Sequence, residues 1–149
     1  MAKLGRPWKP DAMMSSDSME QRIVYYLSQL REGDGEAAFH SLLELGAAAV
    51  PRLVHAFRSE QAPNVRAELV RILWNSRLLT IVPFLKEALA DSDPRVWKSA
   101  LDGLVTIGNT DATRALEESL IGIAGRGNEE EFSKWVREAI EQISEERNS

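Results

Sequence analysis

AAAVPRLVHAFRSEQAPNVRAELVRILWNSRLLTIVPFLKEALADSDPRVWKSALDGLVTIG, residues 47–108, holds one pattern written twice. The segment VPRLVHAF at Val50–Phe57 returns as VPFLKEAL at Val82–Leu89, and Pro63-Asn64-Val65 with Leu69 and Leu73 returns as Pro94-Arg95-Val96 with Ala100 and Leu104. A period just over thirty residues, with apolar residues at helical spacing inside it, predicts stacked helix pairs that each bury a face against the next pair, a helical solenoid.

Outward from this stretch, the same periodicity predicts helices on both sides. Toward the N-terminus, Ile23, Tyr26, Leu27 and Leu30 fall at i, i+3, i+4 and i+7, behind a capping-box-like Asp17 and Glu20. Gly33-Asp34-Gly35 ends that helix. A short second helix, from about Glu36 to Leu45, carries Ala38, Leu42 and Leu45, with Gly46 placed for a left-handed cap. The third runs from about Ala48 to Ser59 with Pro51 in its first turn, where the missing N–H is harmless. The fourth starts at Pro63 with the stripe Val65, Leu69, Ile72 and Leu73. The fifth, about Leu79 to Ala90, repeats the third, and the sixth starts at Asp93-Pro94 and closes at Gly108. The seventh starts near Asp111 with Ala112, Leu116 and Leu120. The eighth follows a second capping-box-like pair, Asn128 and Glu131, and shows the stripe Phe132, Val136, Ile140 and Ile143. Eight helices make four pairs in one domain, 17–149. Residues 1–16, broken by Gly5, Pro7 and Pro10, read as a flexible N-terminal tail carrying Trp8 among Lys3, Arg6 and Lys9.

The composition of the 149 residues narrows the function classes. There is no cysteine, so thiol catalysis, disulfides and cysteine-ligated metals are excluded as chemistry of this chain's own residues, and the cytoplasm is the expected location. No apolar run approaches the roughly 20 residues that span a bilayer, and the N-terminus has no apolar signal region. The net charge of -5 argues against a broad nucleic-acid-binding face.

Chemical motifs are sparse. His40 and His55 lie on different predicted helices without ligand-pair spacing. Gly122-Ile123-Ala124-Gly125-Arg126-Gly127 precedes a helix that could hold an anion, but it lacks the lysine and hydroxyl of a phosphate loop and reads as a loose connection. Glu129-Glu130-Glu131 fits the positive end of a helix dipole as well as it fits a basic partner. No nucleophile, base and orienting group can be assembled.

The two-part pattern resembles the HEAT-repeat family, in particular short bacterial HEAT-like repeats of the phycobilisome-lyase type. Ala49-Val50-Pro51, Leu53 and Ala56-Phe57 carry the first half, as do Val82-Pro83, Leu85 and Ala88-Leu89. The second half lies in Pro63, Val65-Arg66, Leu69 and Leu73, and in Asp93-Pro94, Val96, Ala100, Leu104 and Ile107-Gly108. The resemblance is concentrated in residues 47–108. It implies an all-α fold: a right-handed α-solenoid of about four HEAT-like helix pairs, the second helix of each pair lining the concave side. The sequence departs from the family pattern where Trp74 and Val105 replace a small Gly, where Trp97 stands at the position of Arg66, and where Ser76-Arg77 replaces the closing Ile-Gly.

The resemblance implies a binding protein more than an enzyme. The expected function is a non-enzymatic protein–protein interaction module, a scaffold or adaptor without cofactor or metal, whose partner is another protein. An immunity or inhibitor protein is an alternative within binding proteins. A bilin-lyase-like subunit or a HEAT-like DNA glycosylase, the latter drawing on Trp74, Trp97 and Asp102, is the enzyme alternative. In side-by-side second helices, Phe39 and Leu43, Val70 and Trp74, and Leu101 and Val105 occupy matching positions off the core stripe. They predict one apolar band, rimmed by Arg71, Lys98 and Asp102 with Trp97 beside it, that ends at Arg137 and Glu141 in the last helix.

Overall fold

A computed structural model describes residues 16–148, except 34 and 124. They form α1 (Ser16–Arg31), α2 (Gly35–Glu44), α3 (Val50–Ser59), α4 (Pro63–Asn75), α5 (Val82–Leu89), α6 (Pro94–Ile107), α7 (Thr110–Ile121) and α8 (Glu129–Arg147), with 3-10 turns at Ala47–Ala49 and Leu79–Ile81 leading into α3 and α5. No strand occurs among the described residues. Residues 1–15 of the predicted tail, with Trp8, lie outside them, and Ser16, its last expected residue, belongs to α1.

The helix starts and stops follow from local chemistry. Pro51 and Pro83 sit in first turns, and Pro63 and Pro94 open α4 and α6. Asp93 caps α6 by accepting the Arg95 amide at 2.9 Å, and Asn109 caps α7 by accepting the Ala112 amide at 2.8 Å. α7 therefore begins one residue before the expected Asp111. α1 starts at Ser16, ahead of the expected Asp17. Asn128 departs from expectation: it makes no side-chain cap, because its oxygen accepts from Arg126 Nε at 3.1 Å. Gly46 is not a left-handed cap either. Its φ of 76° pairs with ψ of -163°, and it opens the 3-10 turn instead. Gly108 does close α6 in the left-handed region, φ 61°. One repeat earlier, Arg77 also has a positive φ, 63°, which a side chain disfavours.

The chain is an all-α solenoid of four helix pairs: α1 with α2, α3 with α4, α5 with α6, and α7 with α8. The second helices pack in series, α2 on α4, α4 on α6 and α6 on α8. One core runs through every pair. Leu53, Leu85 and Leu116, equivalent in the repeat, are all buried, as are Val65, Leu69, Val96, Ala100 and Leu104.

Ion pairs tie the first-helix layer together: Glu20 with Arg52, Arg58 with Glu87 at 2.7 Å, and Lys86 with Glu118. Each bridges consecutive first helices. Exposed pairs of this kind are worth about 0–1 kcal/mol each, so they tune the stacking while the apolar core supplies the stability. A more buried set lies where helices meet their loops. Glu60, whose side chain is 7% exposed, accepts from Arg31 at 2.5 Å and from the Ala62 amide at 3.2 Å. The Arg31 hydrogen bond holds the Glu60 carboxyl below its usual pKa against the opposing effect of burial. Arg66 pairs with Asp91, and Arg126 donates to the Asp91 carbonyl at 2.8 Å while stacking on the Phe132 ring. Arg126 thus fastens the α7–α8 connection to the preceding repeat. The Gly122–Gly127 run is a connection held by that side chain.

Candidate functional site

The predicted apolar band resolves into two sets. Phe39, Val70 and Leu101, the first residue of each expected pair, are buried. Leu43, Trp74 and Val105, the second of each pair, remain partly exposed. This corrects the outward placement of the first set, and the cause is the stacking itself. An inner second helix has a neighbour on either side, so its flank away from the main stripe meets the next repeat instead of solvent. Phe39 shows how the seam is closed: the Arg71 guanidinium covers its ring at 3.9 Å, while Arg71 also bonds Glu68. Arg71 is therefore a packing residue between α2 and α4 more than a free rim charge.

Trp97 is likewise buried, contrary to its placement in the band. It meets Phe132 edge-on, with ring centroids 5.1 Å apart, and Trp135 at 6.5 Å. These three rings make the α6–α8 seam, where a T-shaped arrangement suits the charge distribution of aromatic faces and edges. Lys98 extends over this cluster. Its amine is 4.5 Å from the Trp135 centroid and 3.6 Å from Glu131.

Trp74 fills the α4–α6 seam. A Cβ built on Gly103 would lie 2.6 Å from the Trp74 Cγ, so α6 accommodates this indole only because position 103 has no side chain. The bulk of Trp74, where the repeat pattern calls for a small residue, is matched by the absence of bulk opposite it.

Beyond this seam a cleft of about 350 Å³ opens across the second-helix layer. Trp74 lines it from α4, Leu101, Asp102, Val105 and Thr106 from α6, and Trp135, Glu138, Ala139 and Gln142 from α8. Four of the ten predicted residues, Trp74, Leu101, Asp102 and Val105, converge here. Phe39, Leu43, Val70, Arg71, Trp97 and Lys98 are not among the lining residues. Trp135 is 41% exposed, an unusual state for a large apolar ring among the described residues. Apolar surroundings desolvate the Asp102 carboxyl and raise its pKa.

Sequence reasoning missed the α8 wall and expected the band to end in charge at Arg137 and Glu141, which lie outside the cleft. The signal was present in the spacing. At 100° per residue, Trp135, Glu138 and Gln142 fall on one shoulder of the Phe132, Val136 and Ile143 stripe. That shoulder faces α6.

Among the described residues no cluster of three His, Asp or Glu could hold a metal. His40 pairs with Glu36 on its own helix, and His55 is exposed. No described helix is long and apolar enough to cross a membrane.

Residues 50–122 match a family model described as HEAT repeats. The match begins at α3 and ends just past α7, so it takes in the α4 and α6 walls of the cleft. No curated protein and no solved structure matches the chain.

Proposed function

The chain belongs to the HEAT-repeat family, and from that premise we propose that it is a non-enzymatic protein-interaction module whose partner docks over the α4–α6–α8 cleft. HEAT repeats are generally protein-interaction scaffolds. One observation carries the site: an exposed Trp135 and a partly exposed Trp74 stand in one cleft bordered by Asp102, Thr106, Glu138 and Gln142. Aromatic anchors inside a polar border are the composition of an interface hot spot. The cleft lies near the lower end of the range of about 300–1,000 Å³ typical of ligand sites, a volume suited to one or two partner side chains. The acidic balance of the chain favours a protein partner over nucleic acid, and the cysteine-free composition supports the cytoplasm as its location.

The test is affinity capture from source lysate with wild type and Trp135→Ala in parallel, read by mass spectrometry, with circular dichroism to verify folding. A protein captured by wild type and lost with the folded variant supports the proposal. Capture of the same proteins by both would overturn the site.

A further inference from the structure

Two carboxylates elsewhere on the second-helix layer have cationic partners. Glu68 is held by Arg71 and Glu131 by Lys98. Asp102 and Glu138, which both line the cleft, have no basic partner among the described residues. No Lys or Arg lines the cleft with them, and the remaining polar liners, Thr106 and Gln142, are neutral. Two unpaired carboxylates thus share a small cleft with two indoles. An indole face attracts cations through its quadrupole, and the Trp135 ring already attracts the Lys98 amine on this layer.

Resting on the reading that a protein docks here, we propose that the occupant of the cleft is an arginine or lysine side chain of a basic partner segment, held by Asp102 and Glu138 between the Trp74 and Trp135 rings. Three features fit a cationic side chain and not an apolar one. The carboxylates supply two negative charges that a cationic side chain pairs with and an apolar one does not use. The indoles supply flat faces on which a guanidinium stacks while keeping its donors free for the carboxylates. The raised pKa of Asp102 reflects a charge partly desolvated without a counter-ion, which an incoming cation provides. Nucleic acid is disfavoured by the same groups, because its phosphates would meet two carboxylates and no lining cation.

The experiment uses the full chain and an array of equal-length peptides spanning net charge from strongly acidic to strongly basic, with a labelled single-stranded oligonucleotide as a separate probe. Basic, arginine- or lysine-containing peptides should bind at least about 10-fold more tightly than acidic or neutral ones, an effect of about 1.4 kcal/mol. The surface isosteres Asp102→Asn and Glu138→Gln together should weaken them by about the same factor, and Trp135→Ala should abolish binding. Equal binding of neutral peptides that still depends on Trp135 would overturn the cationic occupant while leaving the docking face standing. Preference for the oligonucleotide would overturn the basic segment as well. If no peptide binds in a Trp135-dependent way, both the occupant and the docking face fail.

Discussion

Trp74 and Gly103 are a matched pair across the α4–α6 seam: the indole occupies the space that a side chain at 103 would need, with 2.6 Å between its Cγ and an added Cβ. The pair explains how a solenoid tolerates a tryptophan at a position its repeat pattern reserves for a small residue. It also positions one wall of the cleft, because an indole braced by backbone keeps its orientation.

The pair makes a reciprocal prediction. Gly103→Ala in wild type gains helix propensity of about 1 kcal/mol but overpacks against Trp74, which costs about 1–3 kcal/mol. The net effect should be destabilising. In a Trp74→Gly background, which removes the Cβ as well as the ring, the clash is gone, and the same substitution should stabilise by up to about 1 kcal/mol. Urea melts of the four proteins check the sign reversal. The same sign in both backgrounds would show that the contact does not couple the two helices.

Arg77 offers a stability gain. It has a positive φ, as Gly108 has one repeat later. Arg77→Gly should remove the steric penalty and, after glycine's larger unfolded-state entropy is subtracted, stabilise by about 0.5–1 kcal/mol. Gly108→Ala should be destabilising, since its Cβ would add strain and crowd the Val105 carbonyl at 3.2 Å. Thermal melts decide both. A loss for Arg77→Gly would mean that its side chain makes a compensating contact.

Leu85 tests the shared core. It is fully buried in the central repeat. Leu85→Ala should cost about 2–5 kcal/mol, whereas a change below about 0.5 kcal/mol, the usual surface range, would contradict a core that is continuous through the repeats.

Glu60 gives a pH signature. Its folded pKa is lowered, chiefly by the Arg31 hydrogen bond. The stabilisation is therefore complete above the ordinary glutamate pKa of about 4.3 and is lost as pH falls through the lowered folded value. Arg31 is half exposed, and solvent screening limits the pair. Glu60→Gln should cost about 1–2 kcal/mol at neutral pH, and the gap from wild type should close in acid. Denaturant melts over a pH series would show it, and a pH-independent gap would place the effect in packing instead of charge.

The legible and illegible parts of this chain differ for a physical reason. Stripes such as Val65, Leu69, Ile72 and Leu73 repeat within a helix, so helix order and the inward faces could be read from spacing alone. Proline and Asp93 at helix starts gave the boundaries. The second flank of each inner helix could not be read this way, because its partner is a helix about thirty residues away. Val70 and Leu101 looked outward when judged against their own stripes, yet neighbouring repeats bury them. Trp97 was hidden by Phe132, and Trp135 was overlooked because it belongs to a shoulder instead of a stripe. The cleft is a property of three helices together, and only Trp74, Leu101, Asp102 and Val105 were marked in advance.

Site-specific photo-crosslinking tests the central claim most directly. A photoreactive phenylalanine analogue would replace Trp135 in one protein and Val24, exposed on α1 away from the cleft, in another. Illumination in source lysate should yield a discrete crosslinked protein from position 135 and none from position 24. Crosslinking from position 24 with none from 135 would contradict a partner docked over the α4–α6–α8 cleft.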